Sequence, residues 1–353
     1  MAQYARRAVI PAVRGRADAH PGWAGVRVAV RRLVALVLAT AALPAASQDN
    51  EPLYAKNLSP VSGLFGLPSQ RFAGTGPAGA LDFSLHTSVA NNYINEARGD
   101  EQVNLDGETL RLALELRYAI ADNWDLQLEV PWLDHSGGNL DSLIDNWHDL
   151  WGMSDGGRSA VDQDLLDFSY AGPSAEFGFD DDASGIGDTS LSLTWQFARD
   201  EIFAASVSAG YKFGTGNEND FLGSGEDDAY LVARFSGDHR NDEIPLRWHG
   251  QLGYLYAGES DLLGAAQEQD LWFAGLSMDW VLSERWSLIG QIDAHAAPMS
   301  SEVTALGDEA VMLTAGARWR FSPGWAVDLS IVEDIQVETA PDVIFQGSLR
   351  YRP

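Results

Sequence analysis

The chain contains no cysteine, so neither disulfides nor thiol chemistry can contribute to its fold or its function. It has no apolar run of eighteen residues, which excludes a transmembrane helix of ordinary length. The longest apolar stretch, LVALVLATAAL at 33–43, is too short to cross a bilayer. It follows Arg27, Arg31 and Arg32 and precedes the small-residue sequence PAAS. It therefore reads as a secretory signal peptide cut near Ser47, the rest of 1–47 being an N-terminal extension. Basic residues are scarce: 23 Lys and Arg stand against 51 Asp and Glu, a formal charge of −28. Residues 1–47 hold seven of the basic residues and one of the acids, so the chain beyond them is more acidic still. Such a surface repels nucleic acid and attracts cations.

Catalytic signatures are missing as well. There is no GxSxG elbow, and the seven histidines show no HExxH or other zinc spacing. GTGPAG at 74–79 has the glycine spacing of a dinucleotide fingerprint. That fingerprint needs a strand before it and a helix after it. Here a Pro-bearing linker precedes and a strand follows, so the glycines read as the turn into the first strand. FDDDASGIGD at 179–188 carries enough carboxylates for calcium but does not match the EF-hand loop. It reads either as a solvated tip or as acids that meet lipid phosphates through divalent ions.

What the sequence does contain is alternation with period two, sustained over ten or more residues at a time. At 110–120, Leu110, Leu112, Leu114, Leu116, Tyr118 and Ile120 alternate with Arg111, Ala113, Glu115, Arg117 and Ala119. The pattern gives about twelve strands, near 80–91, 108–120, 124–134, 188–199, 201–213, 227–237, 245–257, 270–282, 286–297, 309–321, 325–335 and 342–352. Connections alternate between short turns and longer loops at 92–107, 135–187, 214–226, 258–269, 298–308 and 336–341. Long strands in even number, with short turns at one end and long loops at the other, predict an all-β fold. It is a transmembrane antiparallel β-barrel of about twelve strands in the bacterial outer membrane. The short turns are periplasmic and the long acidic loops extracellular. The barrel spans 80–353, and 48–79 is a periplasmic N-terminal segment.

Trp124, Trp286 and Trp325 each open a strand just past a short turn, and Tyr118, Trp280 and Trp319 stand just before one. Turns at one common height mark a membrane–water interface, so these six form an aromatic girdle. The opposite parity predicts the lumen lining: Arg111, Glu115, Arg117, Asp125, Glu129, Arg234, Arg247, His249, Asp293, His295, Arg318 and Arg320. Twelve strands enclose a lumen intermediate between one filled by side chains and a wide porin. The long loop 135–187 places Leu140, Leu143, Ile144, Trp147, Leu150 and Trp151 at helical spacing, which predicts a partly helical lid. Trp147 and Trp151 would anchor that gate, with Asp145 and Asp149 making its charge contacts.

The stretches EPLYAKNLSPVSGLFGLP at 51–68 and WHDLWGMSDGGR at 147–158, with the barrel pattern, resemble a family of uncharacterised proteobacterial outer-membrane proteins classed as a domain of unknown function. The resemblance covers 51–353 and implies an outer-membrane barrel, with no activity or catalytic residues to carry over. One departure is the end of the last strand, where Tyr351 is followed by Arg352 and Pro353 in place of a terminal aromatic. The expected function is a narrow channel or facilitator for a small solute, gated by the long loop. The alternative is a structural protein whose acidic loops organise lipopolysaccharide through divalent cations. A lipid-modifying enzyme is the third reading, and it lacks a catalytic signature. The implied partners are outer-membrane lipids and the barrel-assembly machinery, with the protein a monomer. No cofactor is implied.

Overall fold

A computed structural model describes residues 50–138, 165–240, 245–335 and 339–353. The alternating segments become β1 (Leu81–Arg98), β2 (Glu101–Ala121), β3 (Trp124–Ser136), β4 (Asp167–Ala171), β5 (Glu176–Phe179), β6 (Ala183–Ile186), β7 (Thr189–Arg199) and β8 (Phe203–Phe213). They continue as β9 (Asp228–Asp238), β10 (Leu246–Tyr256), β11 (Asp270–Val281), β12 (Trp286–His295), β13 (Ala310–Ser322), β14 (Trp325–Asp334) and β15 (Val343–Tyr351). Successive wall strands pair antiparallel, and β1 pairs with both β2 and β15: Phe83 lies opposite Leu116 on one side and Tyr351 on the other. That last ladder closes the sheet into a barrel. Closure is what a lipid environment requires, since an open edge would leave backbone groups without partners.

The fifteen strands of the described residues make a twelve-strand wall because three are not separate staves. β6 and β7 form one stave, pairing with residues 132–135 and 124–129 of β3 in turn. It is interrupted at Gly187–Asp188, where the Gly187 N–H donates to the Pro131 carbonyl at 3.0 Å. β4 and β5 form a hairpin added to the outer part of β2. The expected loop at 92–107 is instead strand: β1 and β2 run on together to a tight turn at Gly99, whose φ of 60° suits glycine. Above the bilayer these strands bury Ile94, Val103 and Leu105 beneath the other loops. Their outer face no longer meets lipid, so the apolar alternation that marks the lower strands fades there. The helical segment expected within 135–187 falls in 139–164, outside the described residues.

Side-chain direction follows the alternation. On β2 the residues Arg111, Ala113, Glu115, Arg117 and Ala119 are buried in the barrel. Leu231, Leu252, Leu276, Leu288 and Leu329 are exposed on its outer surface. Leu114 shares the outward parity of β2, so Leu114→Arg should cost about 2–4 kcal/mol of stability near mid-bilayer. Urea titration of the vesicle-inserted barrel measures it, and an unchanged midpoint would place Leu114 away from lipid.

The girdle aromatics all lie at the short-turn end. Tyr118, Trp124, Trp280, Trp286 and Trp319 are exposed, and Trp325 is half-buried. Register brings them together across strands: Trp286 stacks on Trp319 at 5.9 Å and Trp124 on Trp195 at 6.0 Å, and Trp325 meets Tyr351 in a tilted contact at 4.7 Å. At the opposite end the apolar core lies inside the barrel mouth. Phe168, Tyr170, Phe177, Phe179 and Phe221 pack there with residues of the 258–269 and 298–308 loops.

Candidate functional site: a polar lumen and the segment inside it

The sequence reading puts 48–79 in the periplasm, yet residues 50–72 lie inside the barrel, where Leu53, Tyr54, Leu58, Val61 and Leu64 are buried. The segment ascends from Asn50, turns in a short 3-10 helix at Ser62–Leu64, and descends to the periplasmic mouth, where β1 begins. Two physical reasons account for this placement. The wall of a twelve-strand barrel cannot fill the space it encloses with its own side chains. The segment, for its part, cannot become a wall strand: Pro52, Pro60 and Pro68 each lack the N–H a ladder needs. Its main-chain carbonyls must find donors elsewhere, and the wall side chains supply them.

At the periplasmic end the Glu51 carboxylate accepts from Arg117 Nη1 at 2.7 Å, from Arg352, and from the Phe72 N–H at 2.7 Å, which ties the two legs of the hairpin together. Arg318 donates to the Glu51 carbonyl at 2.7 Å, and Arg350 donates to the Pro52 carbonyl at 3.1 Å. Both arginines also hold Asp328, at 2.7 and 2.8 Å.

One layer higher, the Tyr54 ring stacks on His86 at 3.8 Å. Its hydroxyl meets Arg111 and Glu129, which are themselves paired at 2.7 Å. Gln346 donates to the Tyr54 carbonyl. Arg71, on the descending leg, reaches Asp125 at 2.7 Å and Gln127 and Thr194 at 3.0 Å. Gln70 donates to Asp293 at 2.7 Å. Gly275 makes room for it, since a Cβ there would collide with Gln70 Nε2. His295 Nδ1 lies 2.8 Å from its acceptor, the Ala296 carbonyl, which leaves Nε2 to accept from Asn57 at 3.0 Å.

The tip is latched at the extracellular end. Lys212 Nζ lies 2.8 Å from the Leu64 carbonyl, 2.5 Å from Ser224 Oγ, 2.9 Å from Asp188 and 3.0 Å from Asp228. Asp228 also accepts the Gly66 N–H at 2.8 Å. Val61, Leu64 and Phe65 complete the apolar cluster beneath the loops.

The residues expected to line the lumen are thus distributed over its height and do not converge on one point. Arg111, Glu129, Asp125, Asp293 and His295 contact the hairpin or its partners in the middle layer. Arg117 and Arg318 meet Glu51 near the periplasmic mouth, and Glu115 lies 3.5 Å from Arg117. Arg234 turns to Ser208, at 2.5 Å, and His249 to Ser236, at 2.9 Å. Arg247 lies between Asp238 and Asp279, at 3.2 and 3.5 Å, and Arg320 approaches Asp279 at 3.8 Å. Asp145, Trp147, Asp149 and Trp151 lie outside the described residues. The acidic stretch 179–188 divides: Asp180, Asp181 and Asp182 are exposed, whereas Asp188 turns inward to Lys212. Among the described residues no three His, Asp or Glu side chains are grouped to hold a metal ion.

The sequence reading missed the contacts of Glu51, Tyr54, Asn57, Gln70 and Arg71. The available signal was a stretch too polar for lipid that still carries Leu, Val and Phe residues to bury, at its tip and beside Tyr54.

A closed twelve-strand barrel with an apolar outer surface, an aromatic girdle and a polar lumen defines an integral protein of the bacterial outer membrane, built on a channel-type barrel. The chain belongs to the family described as a protein of unknown function (DUF3187), whose model matches residues 30–352. No curated protein matches the sequence. Among solved structures it is similar to an outer membrane channel from Pseudomonas putida F1, with 16% identity, a TM-score of 0.52, and coverage of 79% of this chain and 97% of that one. The NanC porin matches at 7% identity and a TM-score of 0.46, over 77% of this chain and 100% of that one. At 16% identity the likeness to the Pseudomonas putida channel is one of fold.

Proposed function

We propose that the protein is a narrow channel or facilitator for a small solute, closed at rest by the hairpin of residues 50–72. The observation that carries this reading is how the hairpin is held. It forms no β-ladder with the wall; side chains of the wall bind it, largely through its carbonyl oxygens and its few charged groups. Water can replace such contacts one at a time, whereas a ladder must break cooperatively. The wall's own ladders are independent of the hairpin, so the barrel can persist when the hairpin moves. The long acidic loop enters this proposal as a second gate in series, over 139–168.

The alternative reading is a structural barrel whose exposed acids, Asp180, Asp181 and Asp182 among them, bind lipopolysaccharide through divalent cations. The buried apolar cluster at the extracellular mouth favours it. Conductance of the full-length and hairpin-deleted proteins separates the two readings.

A further inference from the structure

We propose that the arginine cluster around Glu51 is a binding subsite for a small carboxylate, and that Glu51 occupies it in the closed state as a stand-in for the solute. The inference rests on the channel reading and names the class of solute. Glu51 is 3% exposed. A carboxylate removed from water to that degree is stable only with charged partners and hydrogen bonds. Arg117 and Arg352 supply the charge and the Phe72 N–H a further donor. Arg318 and Arg350 extend the same donor surface, meeting the carbonyl oxygens of Glu51 and Pro52. The hairpin thus presents a carboxylate and two neighbouring carbonyls to four guanidinium groups.

Departure of the hairpin would take away the acceptors that these guanidinium groups share with it, while their wall acceptors stay in place. Arg117 keeps Asp82 at 3.8 Å and Glu115 at 3.5 Å, Arg352 keeps Asp82 at 2.9 Å, and Arg318 and Arg350 keep Asp328. The donors that Glu51 had engaged on Arg117 and Arg352 would then face the vacated space. The four arginines stand on β2, β13 and β15 or, for Arg352, just past β15, where its N–H is fixed to the Gly324 carbonyl at 2.8 Å. The receptor therefore belongs to the rigid wall and survives movement of its occupant. A small cavity lined by Asp82, Glu115, Arg117, Arg350 and Arg352 adjoins it. Planar guanidinium forks suit a carboxylate better than a spherical ion, so the subsite should prefer acetate to chloride.

Chemical rescue in the full chain tests the subsite. Glu51→Ala vacates it, and Glu51→Ser does so with a small polar side chain, in case the apolar one impairs assembly. Both variants should melt below wild type. Acetate should raise their midpoints saturably toward the wild-type value, while acetamide, or chloride at the same ionic strength, should not. Adding Arg117→Met to either variant should abolish the acetate response. An acetate effect no larger than that of chloride in both variants, or one that survives Arg117→Met, overturns the proposal. If the hairpin-deleted barrel conducts nothing while acetate still rescues Glu51→Ala or Glu51→Ser, the channel reading fails and the carboxylate subsite stands.

Discussion

Deletion of residues 50–72, joining the secreted N-terminus to Ala73, should convert a barrel that is closed for most of the time into one that conducts in discrete steps. The deletion removes the described segment that fills the polar part of the lumen, below the apolar cluster of the extracellular mouth, and leaves every wall ladder in place. The wall groups that lose partners, Arg117, Arg318, Arg350, Asp125 and Glu129, would then line a water-filled space and be solvated there. The lumen should remain narrow, because Arg111–Glu129 and Arg318–Asp328 still project into it. Conductance well below that of a wide porin is therefore expected, with a strong dependence on the charge of the solute. Two silent proteins would favour the structural reading. Equal conductance before and after deletion would show that the hairpin is not the barrier.

Lys212→Met should produce the largest loss of stability among single substitutions in the lumen. One ammonium group joins β8, the turn at Asp188, the start of β9, the 214–226 loop and the hairpin tip. Its removal strands Asp188 and Asp228, whose side chains are 7% and 1% exposed. Breaking a buried ion pair by removing one partner costs about 3–5 kcal/mol. Here two carboxylates lose the same cation, so the upper end of that range is expected. The triple variant Lys212→Met with Asp188→Asn and Asp228→Asn should recover much of the loss. Each amide oxygen can still accept the backbone N–H groups of Gly216 and Gly66 without carrying a charge. Urea midpoints of the three proteins read the effect. A wild-type midpoint for Lys212→Met would contradict the latch, and a triple variant no better than the single would show that stranded charge is not the cause.

The legible and illegible parts of this protein differ in what their residues face. The wall could be read from the sequence because lipid outside and polar groups inside impose opposite chemistry on alternate residues, as at Leu114 and Glu115. The girdle could be read because Trp124, Trp286 and Trp325 recur at one height. The hairpin has neither constraint. It meets no lipid, its prolines make it look like a linker, and several of the groups that bind it meet its carbonyl oxygens, which every residue possesses. The upper parts of β1 and β2 and the β4–β5 hairpin lie beyond the bilayer and escaped for a related reason. Lys212 was readable as an inward residue. Its partner Asp188 was hidden at the end of an acidic run whose other members, Asp180, Asp181 and Asp182, do face solvent.

If the hairpin closes the lumen, its displacement must open it. Because the chain has no cysteine, a single engineered pair can lock the hairpin without competing thiols. A Cβ added at Gly66 would stand 2.9 Å from the Cβ of Lys212. A shift of roughly 1 Å brings the pair to disulfide spacing. Gly66→Cys with Lys212→Cys therefore exchanges the ionic latch for a covalent one that a reductant can release. Single-channel recording of this one protein, oxidised and then reduced, is the most direct measurement. A hairpin plug predicts silence in the oxidised state and stepwise conductance after reduction; the same conductance in both states would contradict it.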